Sequence, residues 1–211
     1  MCSRFENKET CESMFKKFEK DFLMLNIAAK DLKQINIAPN DDILVIQKNE
    51  NEFMLKNFSW GIKFPGDKTP LIFNSRIETI SSKPYWKNLF SKNRCLIPAT
   101  AFYEWETMEK IKIPKRISIE SMPVFFFAGL YVKIGDGIFA SIITTSPNSA
   151  IAKIHNRMPV IFNQEEGINY LKADEETAIT MCLPFDDTVP VNMETAEDIL
   201  TIKQKEFLKG K

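Results

Sequence analysis

Five candidate strands follow one another between Cys95 and Thr144: Cys95–Ile97, Phe102–Trp105, Lys112–Ile119, Val124–Val132 and Ile138–Thr144. Short polar or turn-forming stretches separate them, and Asp136-Gly137 between the last two is a hairpin-turn signal. So dense a series of short strands points to a mainly antiparallel sheet that curves on itself. Helices are expected on either side of it. Phe15, Phe18, Phe22 and Leu25 recur at spacings of three and four, the period of an amphipathic helix. Others are expected over Tyr85–Phe90, with Pro84 near the first turn, over Gln164–Leu171 and over Thr195–Leu208, with a short one over Ser149–Ile154. Ile43–Gln47, Phe53–Leu55 and Val160–Phe162 add strands, and Asn36–Asn40, with Pro39 inside, reads as a loop. The expected architecture is α+β, a single domain over residues 1–211 with a barrel-like sheet flanked by helices.

At 211 residues the chain is long enough to bury a real core, and 44% of its residues are hydrophobic. No apolar run reaches membrane-spanning length, and Arg4, Glu6, Lys8 and Glu9 interrupt the start where a secretory signal would be apolar. Cysteines at 2, 11, 95 and 182 form neither a paired metal-ligand spacing nor a dense disulfide framework. A reduced intracellular protein follows, cytoplasmic in a bacterium or nuclear in a eukaryote, monomeric and without metal or cofactor. Formal net charge is zero, but the charges are segregated. Lys83–Arg116 holds eight basic and three acidic residues, whereas Gln164–Asp198 holds ten acidic residues and one lysine. A locally basic face on a neutral protein is the expectation.

The chemistry starts at Cys2. Removal of Met1 would leave a 1,2-aminothiol, an amine and a thiol on adjacent carbons, with reference pKa values of about 7.7–8.0 and about 8.5. Such a group condenses with an aldehyde to an imine and then closes through sulfur to a thiazolidine. It also serves as an N-terminal nucleophile, the amine acting as base to the thiol. Three further segments concentrate reactive side chains. Polar and charged residues interrupt an apolar approach in Phe73-Asn74-Ser75-Arg76-Ile77-Glu78-Thr79. Glu104 lies between Tyr103 and Trp105, where desolvation raises a carboxyl pKa and suits it to proton transfer. The only histidine, His155, lies two residues before Arg157, whose like charge would lower its basicity. Each has an ordinary structural explanation if taken singly: a turn, a surface ion pair or a helix cap.

Taken together and in this order, these segments resemble the SOS-response-associated peptidase (SRAP) family. The likeness runs from Cys2 to about Asn192. It is carried by Met-Cys-x-Arg-Phe at the start, Asn-x-Arg-x-Glu-Thr at Asn74–Thr79, Cys-Leu-Ile-Pro…Phe-Tyr-Glu-Trp at Cys95–Trp105 and His-x-Arg-Met-Pro at His155–Pro159. Asn36–Pro39, Ala128-Gly129-Leu130, Thr144-Thr145 and Val191-Asn192 also fit. Ser3, Ser59, Thr100-Ala101 and Asn156 stand where the family often has Gly, Arg, Asp-Gly and Asp. None of these departures removes a reactive group, although Ser59 costs an arginine beside Trp60.

The resemblance implies a protein that detects abasic sites in single-stranded DNA and links to them covalently through Cys2. On that reading Cys2 forms the imine and thiazolidine, Asn74 holds the amine or the sugar, Glu104 accepts and returns protons, and His155 donates one to the ring oxygen or aldehyde. Arg4, Arg76 and Arg157 grip phosphates. Trp60 either stacks on a base or packs in the core. Partners at a replication fork are not readable. Two other classes stand beside it. One is a cysteine peptidase using the same Cys2, His155, Asn74 and Glu104, whose minimal act is removal of Met1. The other is a non-catalytic single-stranded DNA binder, which the basic stretch and aromatics support but which leaves the conjunction of Cys2, Glu104 and His155 unexplained.

Overall fold

The computed structural model describes residues 2–18, 25–32, 35–49, 52–66, 68 and 70–209. In chain order its elements begin with β1 (Arg4–Glu6), α1 (Cys11–Phe18), β2 (Leu25–Ala28), β3 (Asp42–Asn49), β4 (Glu52–Trp60) and β5 (Asn74–Arg76). Two helices follow, α2 (Ile77–Ser82) and α3 (Pro84–Lys92). The strand-rich middle comprises β6 (Arg94–Ala99), β7 (Ala101–Met108), β8 (Ile111–Ser118), β9 (Phe125–Ile134) and β10 (Gly137–Thr145). The chain continues through β11 (Met158–Pro159), β12 (Ile161–Phe162), α4 (Gln164–Lys172), α5 (Glu175–Met181), β13 (Asn192–Thr195) and α6 (Ile202–Lys209).

Five strands close on themselves in the cycle β10-β4-β3-β6-β9-β10. Four of its seams are antiparallel, and the fifth, Phe139↔Ser59 and Ala140↔Trp60 between β10 and β4, is parallel. Closure removes unpaired edges from these strands. A second, antiparallel sheet, β1-β7-β8-β13, grows from the barrel where β6 runs through Thr100 into β7. The architecture is therefore the expected α+β fold around a curved, barrel-like sheet.

Alternation along the barrel strands explains why their sequences read as unbroken apolar runs. Leu44, Ile46, Leu96, Phe126, Ala128 and Leu130 join one buried cluster with Ile80, Phe90, Ile168 and Tyr170 of the helices. Their neighbours Ile43, Val45, Cys95, Ile97, Phe125 and Phe127 point the other way, into a cluster with Cys2, Phe5, Phe102 and Ile117 of the second sheet. Both faces are buried, so both must be apolar. The cluster on the second-sheet side is the one that receives the chain's first residues.

Several expected elements differ in detail. Phe15 and Phe18 lie in α1, but Leu25 opens a strand that pairs parallel with β4, and Phe22 is outside the described residues. The apolar period of three to four continued past the end of the helix into a strand it could not distinguish. The hairpin turn is Gly135-Asp136, with Ile134 paired to Gly137 and Gly135 at φ +58°. The sequence signal was one residue off, because glycine takes the left-handed position at the first turn residue. The single helix expected over Thr195–Leu208 is divided: Thr195 ends β13, Glu197–Ile199 is one 3-10 turn, and α6 starts only at Ile202. Pairing of Thr195 with Lys115 draws that segment onto the sheet.

Charge segregation does not leave the basic segment bare. Lys87 pairs with Glu175 at 3.3 Å and Arg116 with Glu194 at 3.0 Å, so parts of the basic and acidic stretches neutralise one another across the fold.

Candidate active site

Strand β1 places Cys2. It pairs antiparallel with β7 in the register Arg4↔Tyr103, Phe5↔Phe102 and Glu6↔Ala101, which runs the chain's first residues toward Glu104. On the other edge of β1, the Phe5 and Ile37 amides each donate to the other's carbonyl, at 3.2 and 2.9 Å. The Asn36–Pro39 segment thus clamps the strand, turned by Asn36 at φ +51°, a conformation asparagine tolerates better than most residues. Below β1, the ring of Phe5 packs edge-on against Trp60 and Phe127.

Asn74 reaches the same place from the barrel. β5 lies parallel to β10 with Asn74 opposite Ile142, and Asn74 Nδ2 donates to the Cys2 carbonyl at 2.8 Å. Its Oδ1 is buried with no hydrogen-bond partner among the described residues, an acceptor the fold leaves unused. Cys2 is wholly buried and its thiol donates to the Arg4 carbonyl at 3.4 Å.

Glu104 is the buried carboxyl whose charge acts on Cys2. Its side chain is buried, and burial pushes its pKa up to about 7, against the opposing pull of the positive amino terminus. The Cys2 thiol is raised well above its ordinary range, first by burial and then by the charge of Glu104. The thiol thus feels the Glu104 carboxyl as well as its own burial. The thiol is therefore protonated at neutral pH and needs a base, and a carboxyl that titrates near neutrality is suited to be one.

His155 is half-buried after the 3-10 turn Ile151–Lys153. Its pKa is lowered, as expected, but the cause is different: burial comes first, and the Arg157 backbone contact works in the opposite direction. That contact explains how either charge state is held. Nδ1 lies 3.0 Å from the Arg157 amide, which donates to the neutral ring, and 3.1 Å from the Arg157 carbonyl, which accepts from a protonated one. A side chain whose surroundings accept both states is well placed to exchange a proton.

The arginines differ in their surroundings. Arg76 ends β5 and is exposed. Arg4 is half-buried and donates to the Ser3 carbonyl at 2.8 Å. Arg157 is held in place: Nη1 and Nη2 meet the two Glu78 carboxylate oxygens at 2.7 and 3.0 Å, and Nη2 also donates to the Thr144 carbonyl at 2.6 Å. Trp60 is buried with no exposed surface, its Nε1 donates to the Phe73 carbonyl at 2.8 Å, and its ring packs against Phe5 and Phe73. Between base stacking and core packing, the structure places it in the core, because a buried indole offers no face to a base.

Two ion-pair partners escaped the sequence reading. Glu78 stands inside the Asn74–Thr79 segment, but nothing in its spacing names Arg157 as its partner across the fold. Buried Glu6 accepts from the Arg116 guanidinium and from Tyr103 Oη at 3.1 Å, with Lys8 Nζ 3.4 Å away. No local pattern at Arg4-Phe5-Glu6 names Arg116 as the distant partner of Glu6.

Comparison with known proteins identifies the family and the fold. The profile of the family described as SOS response associated peptidase (SRAP) matches residues 1–197. The abasic site processing protein YoqW of Bacillus subtilis (strain 168) is 34% identical over 199 residues, covering 88% of each chain. YobE, another abasic site processing protein of that organism, is 37% identical over 164 residues, covering 72% of this chain and 75% of its own. A crystal structure of a Bacteroides thetaiotaomicron protein superposes with a TM-score of 0.77 at 23% identity, over 99% of this chain and 94% of the other.

Proposed function

The chain belongs to the SOS response associated peptidase (SRAP) family, and on that premise we propose that it captures abasic sites in single-stranded DNA as a covalent adduct of Cys2. The observation that carries this reading is the setting of Cys2: its carbonyl held by Asn74 and its thiol beside a carboxyl that titrates near neutrality. The names of the Bacillus relatives support it.

The chemistry runs as follows. Removal of Met1, by the chain itself or by an aminopeptidase, frees the Cys2 amine. His155 gives a proton to the sugar ring oxygen as its bond to the anomeric carbon breaks, the anomeric hydroxyl releases its own proton to water, and the ring opens to its aldehyde. The amine condenses with that aldehyde to an imine, releasing one water, while Glu104 takes and returns the protons involved. Cys2 Sγ then adds to the imine carbon. Its proton passes through Glu104 to the nitrogen, and a neutral thiazolidine results. Asn74 orients the cysteine, and Arg4, Arg76 and Arg157 hold backbone phosphates, which carry no base information.

Intact mass after incubation with an abasic single-stranded oligonucleotide tests the proposal. The protein without Met1 should gain the oligonucleotide mass less one water and keep it through heating. Cys2→Ala should give no heat-stable adduct, because an imine alone hydrolyses. Undiminished heat-stable adduct from Cys2→Ala sinks the mechanism, and turnover of an added peptide without any adduct would favour the peptidase alternative.

A further inference from the structure

The contact between Arg157 and Glu78 is built like a phosphate site that already holds an anion. The two terminal guanidinium nitrogens face the two carboxylate oxygens at 2.7 and 3.0 Å, the parallel arrangement arginine uses for phosphate as well as carboxylate. The two partners are unequally fixed. Arg157 has only 13% of its side chain exposed and is tied to the Thr144 carbonyl, whose strand also pairs with Arg76. Glu78 is 58% exposed on the first turn of α2, so its carboxylate can swing into water without disturbing the core. The Arg157 Nε is buried with no partner among the described residues, leaving one donor of the same guanidinium unfilled. Arg157 is the fixed partner and Glu78 the one that solvent reaches, so a dissolved anion competes for the fork from the Glu78 side.

We propose that Glu78 is a resident stand-in for a DNA phosphate: it occupies the Arg157 fork in the unbound protein, and a phosphate of the bound strand displaces it. The inference rests on the single-strand reading above. Its consequence is selectivity. Every strand must expel a carboxylate to engage Arg157, which weakens binding to undamaged DNA, whereas a covalent adduct at Cys2 outlasts that competition. A fixed strut between α2 and the His155 segment would have the opposite effect when broken, since loosening Arg157 could only weaken binding.

Two arms separate this inference from the reading it rests on. In the first, the Nε–H resonance of Arg157 is followed during titration with inorganic phosphate. Glu78→Gln should shift it at several-fold lower phosphate than the unmodified protein, and equal titrations overturn the stand-in whatever the protein does with DNA. In the second, affinity for an undamaged single-stranded oligonucleotide is measured for Glu78→Gln, Arg157→Ala and the double variant. Glu78→Gln should bind about two- to five-fold tighter, and most of the gain should vanish when Arg157 is absent. A loss of affinity would identify a strut. An equal gain in both backgrounds would show only the removal of a negative charge, and either result overturns the proposal. If oligonucleotide binding is absent in every variant while the phosphate arm holds, the single-strand reading fails and the anion fork stands.

Discussion

At the scale of single residues, Glu104 links stability to chemistry in opposite senses. Its folded-state pKa of about 7 lies above the ordinary 4.5, because burial disfavours the carboxylate. Between those values the folded protein keeps a proton that the unfolded chain has released. Stability therefore falls as pH rises through that window and levels off above it, by at most about 3 kcal/mol. Glu104→Gln, neutral at every pH, escapes the loss. Urea unfolding at a series of pH values should show the variant gaining on the unmodified protein from pH 4.5 to 7 and holding its advantage beyond, while adduct formation slows by about 10²–10⁴-fold. A stability difference that does not change with pH would show that Glu104 is ionised in the folded state throughout. The residue was legible in the sequence because two aromatics flank it. The origin of the His155 shift was not, since proximity to Arg157 in the chain suggests repulsion, whereas in the fold Arg157 turns its guanidinium to Glu78 and offers His155 its backbone.

At the scale of elements, a strand of three residues, β1, has to hold Cys2 in place, and so short a strand is a weak hold by backbone pairing alone. Glu6 supplies the rest. It is 2% exposed yet its pKa is lowered: burial raises it, and the hydrogen bond and charge of Arg116 outweigh burial. The contact ties β1 across β7 to β8, a lateral anchor four residues from Cys2. Glu6→Gln should cost about 2–3 kcal/mol, below the 3–5 typical of a broken buried pair because Arg116 is partly exposed and keeps Glu194. Hydrogen exchange at the Phe5 and Ile37 amides should accelerate more than exchange in the barrel strands. Uniform acceleration would mean that Glu6 supports the whole fold rather than this strand. The elements legible from sequence were those with a long periodic pattern, such as β8, β9 and α4. Those that failed, Leu25 and Thr195, are recruited by distant partners, β4 and β8, that no local period encodes.

At the scale of the whole molecule, the parallel seam between β10 and β4 closes the barrel, and its register depends on residues some eighty positions apart, beyond the reach of local pattern. Charge behaves in the same way. The segregation visible in sequence is partly cancelled by pairs such as Lys87–Glu175 and Arg116–Glu194, on a chain whose formal net charge is zero. Binding of a single strand then depends on a few discrete phosphate contacts rather than on net charge. With Arg4, Arg76 and Arg157 as those contacts, affinity for an undamaged oligonucleotide should fall with salt at a log–log slope of about −2, from roughly 0.7 per contact on single strands. Arg76, exposed at the end of β5, is the cleanest test, since among the described residues it forms no ion pair like that of Arg157, although its charge still acts on Glu78. Arg76→Ala should flatten the slope by about 0.7 and weaken binding equally with and without a lesion, in anisotropy titrations across a salt series. Superimposable lines would take Arg76 off the path of the strand, and a slope much steeper than −2 for the unmodified protein would show that lysines of the basic segment share the load.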